Sequence, residues 1–253
     1  MDQPVGTRTS RRRGTGRWEE HNSARQTKIL QSAVSLIEEN EAGEEISIQQ
    51  IAERAGLARS VVYRQFDNRD DLDSHVREFI LRSYVEQVEN ALVLDPEKTA
   101  EEVIFEVMRT VVRWAAEHPR AYRFGQNGPV HGHAADETSV TIGRHLVAEA
   151  LWEQFTAWAA LLGIDVEANR PLVYGVAGLV EGIVTQFIAT EGEAGRPDQE
   201  TVARMLTASA WHLFAGHAAD RGYHFDRSVP TGVVLADLLA QAAERQDGDA
   251  ARA

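Results

Sequence analysis

Two short helices meeting at a glycine constrain this chain more than any other feature. The stretch Ser47 to Leu72 reads SIQQIAERAGLARSVVYRQFDNRDDL. Ser47 is placed to cap a helix whose buried face is Ile48, Ile51 and Ala52. Ala55-Gly56-Leu57 then forms the turn, where glycine supplies a left-handed backbone without a Cβ clash. The next helix is expected over about 58–65, burying Val62 and Phe66. Its free face carries Arg59, Ser60, Tyr63 and Arg64. A helix pair of this kind can seat its second member in the DNA major groove. Arginine can grip guanine O6 and N7 through two bonds, and hydroxyls suit bases or phosphates.

The rest of the chain shows helical periodicity and no strand alternation, so the expected fold is all-α. Before the turn, Ile29, Leu30, Ala33, Val34 and Ile37 form one apolar face behind a candidate cap at Ser23. After it, Asp67-Asn68 caps a long fourth helix bearing Leu72, Val76, Phe79, Ile80, Tyr84, Val88 and Leu92. A further helix is expected behind Asp95-Pro96, ending at His118-Pro119. Residues 122–135, with GQNGPVHGH, read as an irregular loop. Three long helices follow, over about 136–162, 169–191 and 198–221, and a last one covers about 231–245. The expected organisation is a basic, disordered arm over 1–22, a helix-turn-helix unit over 23–70, a helical body over 71–245 and a frayed tail over 246–253.

A net charge of −13 is unusual for a chain that meets nucleic acid, but its distribution is uneven. Residues 1–79 balance to −2 and the remainder to −11. An acidic body repels DNA and disfavours wrong docking orientations. Within the arm, Arg11, Arg12, Arg13 and Arg17 could follow phosphates or enter the minor groove, or simply solvate a tail. There is no cysteine, hence no disulfide framework and no thiolate chemistry. No secretory signal pattern is present, and no apolar run is expected to approach the length of a membrane span.

At residues 47–72 the chain resembles the TetR family of bacterial one-component transcription regulators. The matching positions are Ser47-Ile48, Ile51-Ala52, Ala55-Gly56-Leu57, Val62-Tyr63, Phe66, Arg69 and Leu72. The resemblance is specific over about 23–80 and architectural beyond. It implies a cytoplasmic homodimer whose two heads read a palindromic double-stranded operator and whose body binds a small, mostly apolar effector. By position, Ser47, Tyr63 and Arg64 correspond to phosphate-contacting sites, and Arg59 and Ser60 to base-reading sites. Arg69 stands where the family usually has lysine.

Aromatic residues are spread over the body. Trp114, Tyr122, Phe124, Phe155, Trp158 and Phe187 are the wall candidates for an effector pocket, with His118 and Glu181 as polar anchors. Aromatics at helix spacing are equally the stuff of plain core. Gly175, Gly178 and Gly182 punctuate one helix, and interior glycines cost about 1 kcal/mol each relative to alanine. Close approach to another helix or a ligand would explain them. With Val202, Met205, Leu206, Ser209, Leu213 and Gly216 of the next helix, they are the candidate dimer contacts. His131, His133, Asp136 and His145 match no strong metal spacing, so no metal or cofactor is expected. No nucleophile elbow or phosphate-cradling loop is present. The alternative to a regulator is a helical small-molecule-binding protein or enzyme with a vestigial DNA head.

Overall fold

The computed structural model describes the backbone of residues 12–40, 45–92, 95–134, 136–161, 166–220, 222, 224 and 226–237. Side chains are described from residue 23 onward within those ranges, except at 158, 159 and 161. Among the described residues the chain is all-α: α1 Arg12–Glu39, α2 Ile48–Arg54, α3 Arg59–Val62, α4 Arg69–Ala91, α5 Ala100–Glu117, α6 Pro119–Gln126, α7 Ser139–Leu161, α8 Arg170–Ala189 and α9 Gln199–Ala219. A further helical stretch begins at 231 and is described to 237.

Local chemistry sets most of these boundaries. Ser47 caps α2 with a reciprocal box: its hydroxyl accepts from Gln50 N–H, and its own N–H donates to Gln50 Oε1 at 2.8 Å. Asn68 caps α4 by accepting from Asp71 N–H at 2.9 Å. Gly56 adopts φ +63°, the left-handed conformation the turn requires.

Four expectations are corrected. α1 starts at Arg12, well ahead of Ser23, so much of the expected arm is helical. Once 23–39 is docked, extending a helix costs far less than nucleating one. α5 starts at Ala100 instead of behind Asp95-Pro96, because Thr99 and Glu102 form a stronger reciprocal cap. Residues Pro119–Gln126 are helical, not loop, since proline suits the first helical position and Tyr122 and Phe124 pack inward. The stretch Glu167–Ala189 is long and apolar enough to span a bilayer: an 18-residue window of it has mean hydropathy 1.6, and 33% of that window is buried among the described residues.

One apolar core runs from Ile29, Ile51, Val62 and Phe66 through Leu72, Val76 and Ile80 to Val112 and Leu206. Helix α4 is shared by both ends of the molecule: it packs against α1 and, through His75, against Phe66 behind α3, and further along it meets α5, α6 and α7 of the body. Helix α6 also reaches back. Arg120 donates to the Glu38 carbonyl at the end of α1, and Ala121 N–H donates to Glu38 Oε1 at 3.2 Å.

Candidate nucleic-acid interface and internal cavity

Val62 and Phe66 are 1% and 3% exposed, and they turn the opposite side of the α3 segment outward. Arg59, Ser60, Tyr63 and Arg64 are all exposed there, as expected. Only Arg59–Val62 is α-helical; hydrogen-bonded turns continue to Phe66, with Phe66 N–H donating to the Val62 carbonyl at 3.1 Å. Arg59 is not free on this surface. Its Nη2 donates to the Tyr63 hydroxyl at 3.0 Å, and its guanidinium lies 5.4 Å from the ring centroid. The pair presents a guanidinium and a phenol as one pre-arranged unit.

Arg69 is placed differently from expectation. Its Nε donates to the Asp73 carboxylate at 2.9 Å and its Nη1 to the Ile46 carbonyl, so the side chain ties the approach to α2 onto α4. Pairing with the Asp73 carboxylate weakens its pull on phosphate. Lys28 is a cation the sequence reading passed over. Its ammonium lies 3.7 Å from where a Cβ on Gly56 would stand. Arg12, Arg13 and Arg17 lie on the first turns of α1; Arg11 falls outside the described residues.

Between α4, α5, α6, α7 and α8 lies a cavity of about 90 Å³. Three of the expected residues line it: Trp114, Tyr122 and Glu181. The others are elsewhere. Phe124 packs its ring against Arg77, whose guanidinium sits 4.7 Å from the centroid and donates to the Pro129 carbonyl. Phe187 stacks under Arg196 at 3.8 Å. Phe155 is 37% exposed and edges Trp152. His118 sits by Glu38, 3.4 Å from its carboxylate, outside the cavity wall. The Trp158 side chain lies outside the described residues. Spacing alone could not tell which aromatic points inward, because five helices converge and each shows more than one apolar face.

The sequence reading missed most of the wall, which is aliphatic: Ile80, Leu81, Val107, Met108, Val111, Val147, Val180 and Val184, together with Tyr84. Burial pushes the Tyr84 phenol up well beyond its ordinary pKa, with the nearby Tyr122 and Glu181 adding to the shift. Tyr122 is also pushed up by burial, and its hydroxyl pairs with Thr185 Oγ1 at 2.7 Å. Arg144 and Glu181 meet at 2.6 Å on the cavity edge.

The candidate dimer residues divide into two sets. A Cβ at Gly175, Gly178 or Gly182 would meet nothing within 4 Å, so close packing inside the described protomer does not explain these glycines. Met205 is 47% exposed, and Gly216 is exposed with Ser209 half-buried. Val202 and Leu206, however, are 1% and 0% exposed and belong to the core. A helix turns about 100° per residue, so the 202/206 face and the 205/209/216 face diverge. Helix α9 spends the first on α5. Leu213 is half-buried and packs against the core.

His131, His133, Asp136 and His145 do not gather. Instead His131 stacks on His75 of α4, with centroids 3.6 Å apart, beside Asp71. Asp71, His75 and His131 offer potential metal-ligand atoms within 4.8 Å of one another. His75 Nδ1 already lies 2.8 Å from the Asp71 carbonyl, and parallel stacked rings do not converge on a shared ion. This contact joins the α6–α7 connection to α4, under Phe66.

Comparison with known proteins agrees with this geometry. Residues 29–74 match the family described as bacterial regulatory proteins, tetR family. An uncharacterized HTH-type transcriptional regulator of Mycobacterium tuberculosis, recorded in strains H37Rv and CDC 1551, is 23% identical over 201 residues, 79% of this chain and 81% of the relative. A tetR-family transcriptional regulator from Streptomyces coelicolor shares the fold, with a TM-score of 0.58 at 20% identity, covering 86% of this chain and 89% of that one.

Proposed function

The chain belongs to the TetR family of bacterial regulatory proteins and is a DNA-binding transcription regulator; from that premise we propose that it is a cytoplasmic repressor. It sits as a homodimer on a palindromic operator and is released by a small, mostly apolar effector. The observation that carries this reading is the course of α4. Its second turn sets His75 against Phe66 at 5.2 Å between ring centroids, and Ile80, Leu81 and Tyr84 further along it line the cavity. A ligand that spreads the cavity walls must therefore move or tilt the support of the reading surface. Helix α6 gives a parallel route, since Tyr122 lines the cavity while Arg120 and Ala121 hold Glu38 of α1.

The effector acts by binding the DNA-incompetent arrangement better than the competent one. A coupling of ~1–3 kcal/mol lowers operator affinity roughly 5–150-fold. Footprinting tests the reading: discrete, two-fold symmetric protection supports it, and diffuse coating of DNA overturns it.

The reading surface makes its own prediction. Arg64→Ala weakens binding to every DNA sequence and reduces the salt slope by about one. Arg59→Ala costs ~1–3 kcal/mol on the preferred operator and relaxes base preference. Because the Tyr63 hydroxyl accepts from Arg59, Tyr63→Phe separates two roles. Loss of selectivity in Tyr63→Phe assigns the phenol to aiming Arg59; uniform loss of affinity assigns it to phosphate. Both are read from binding isotherms at several salt concentrations. Unchanged selectivity in Arg59→Ala would remove that residue from base reading.

A further inference from the structure

The cavity is apolar in its lining but not featureless, and its polar groups are unequal. Tyr122 is satisfied by Thr185. Arg144 and Glu181 are the charged residues on its wall among the described residues, and they neutralise each other at 2.6 Å. Ser139 is different. It is 7% exposed, it lines the cavity, and its Oγ has no hydrogen-bond partner. A buried hydroxyl left unpaired costs free energy that any matching group would recover. Its position at the first residue of α7 is fixed by close packing: a Cβ on Gly125 of α6 would stand 3.3 Å from the Ser139 Cβ.

We propose that the effector is an uncharged, mostly apolar molecule carrying an oxygen that hydrogen-bonds to Ser139 Oγ. This rests on the effector-release reading and narrows it. A carboxylate is disfavoured because the available cation is already paired, and the carboxylate would meet Glu181 as well. An ammonium is disfavoured by the mirror argument, since Glu181 is held by Arg144. Either ion would also give up its hydration to an aliphatic wall. A neutral hydroxyl or carbonyl compound loses little hydration and satisfies the orphan serine. The cavity volume suits a single ring or a short branched chain before any wall moves.

Four probes sharing one ethylphenyl group separate the possibilities: p-ethylphenol, ethylbenzene, p-ethylbenzoate and p-ethylbenzylammonium, titrated calorimetrically into the full chain. The phenol is expected to bind about 5-fold tighter than ethylbenzene, the worth of one hydrogen bond. The two ions are expected to bind at least ~10-fold weaker than the phenol. Ser139→Ala should erase the phenol's margin and leave ethylbenzene unchanged within about twofold, the expected loss of one hydrogen bond and nothing else. Glu181→Gln should do the opposite for the carboxylate, raising p-ethylbenzoate affinity at least ~10-fold by freeing Arg144. This gain cannot come from misfolding.

A wild-type preference for p-ethylbenzoate, a phenol margin that survives Ser139→Ala, or failure of all four probes to bind each overturns the neutral-effector inference. Operator binding measured on the same samples keeps the two readings apart. If the phenol binds as described yet never loosens the operator complex, the effector-release reading fails while the cavity chemistry stands.

Discussion

Met205→Asp is expected to give a folded monomer that binds a full palindrome at least ~100-fold more weakly than the parent chain, because two linked heads gain their affinity from simultaneous engagement. Met205 is 47% exposed on α9, and Leu179 is 39% exposed on α8 beside glycines whose outer side is open. An apolar face of this kind on two adjacent helices suits a second copy of the same face. In a two-fold interface each substitution occurs twice, so two carboxylates are buried near each other without partners. The neighbouring position gives the control. Leu206 is 0% exposed, so Leu206→Asp should fail to fold instead of merely dissociating. Sedimentation gives the mass and circular dichroism the fold. A Met205→Asp protein that remains dimeric would move the interface off this face.

That contrast also shows where sequence reading stops. Periodicity located α8 and α9 within a few residues and identified their apolar character. It could not divide α9 between two partners, because Val202, Met205, Leu206 and Ser209 all belong to one short stretch and only the position of α5 decides between them. The turn was legible for the opposite reason. Gly56, the Ser47 cap and the Val62/Phe66 pair are short-range features, set by backbone conformation and neighbouring residues.

The cavity was the least legible part. Tyr122, Trp114 and Glu181 were expected on its wall, but Phe124 and Phe187 found arginines to stack on, at Arg77 and Arg196. A ring and a guanidinium far apart in sequence carry no spacing signal. Ser139 was invisible altogether. A serine near a helix start reads as a cap, and only the surrounding helices reveal that its hydroxyl is unanswered. Arg69 shows the same limit: its charge was legible, but not its use in holding the Ile46 carbonyl.

Leu72→Ala is expected to cost ~2–5 kcal/mol, the usual range for emptying a buried leucine site. Leu72 is fully buried at the start of α4, within the same continuous core as Ile29, Ile51, Val62 and Phe66. For a chain of this size the loss corresponds to a fall in Tm on the order of 10 °C. How it melts matters more than how far the midpoint falls. If the helix-turn-helix unit were a separate domain, Leu72→Ala would produce an early transition for the head and leave the body's transition in place. One core running along α4 predicts a single transition that moves as a whole, with calorimetry and near-ultraviolet dichroism agreeing. The same rigidity is what lets a small displacement near Tyr84 reach Phe66, behind the reading surface, through His75 of α4, since closely packed interiors transmit strain instead of absorbing it. Two separated transitions would break that chain of contacts. Effector release would then have to run through α6 and its grip on Glu38, which Arg120→Ala would test by abolishing the response while sparing operator binding.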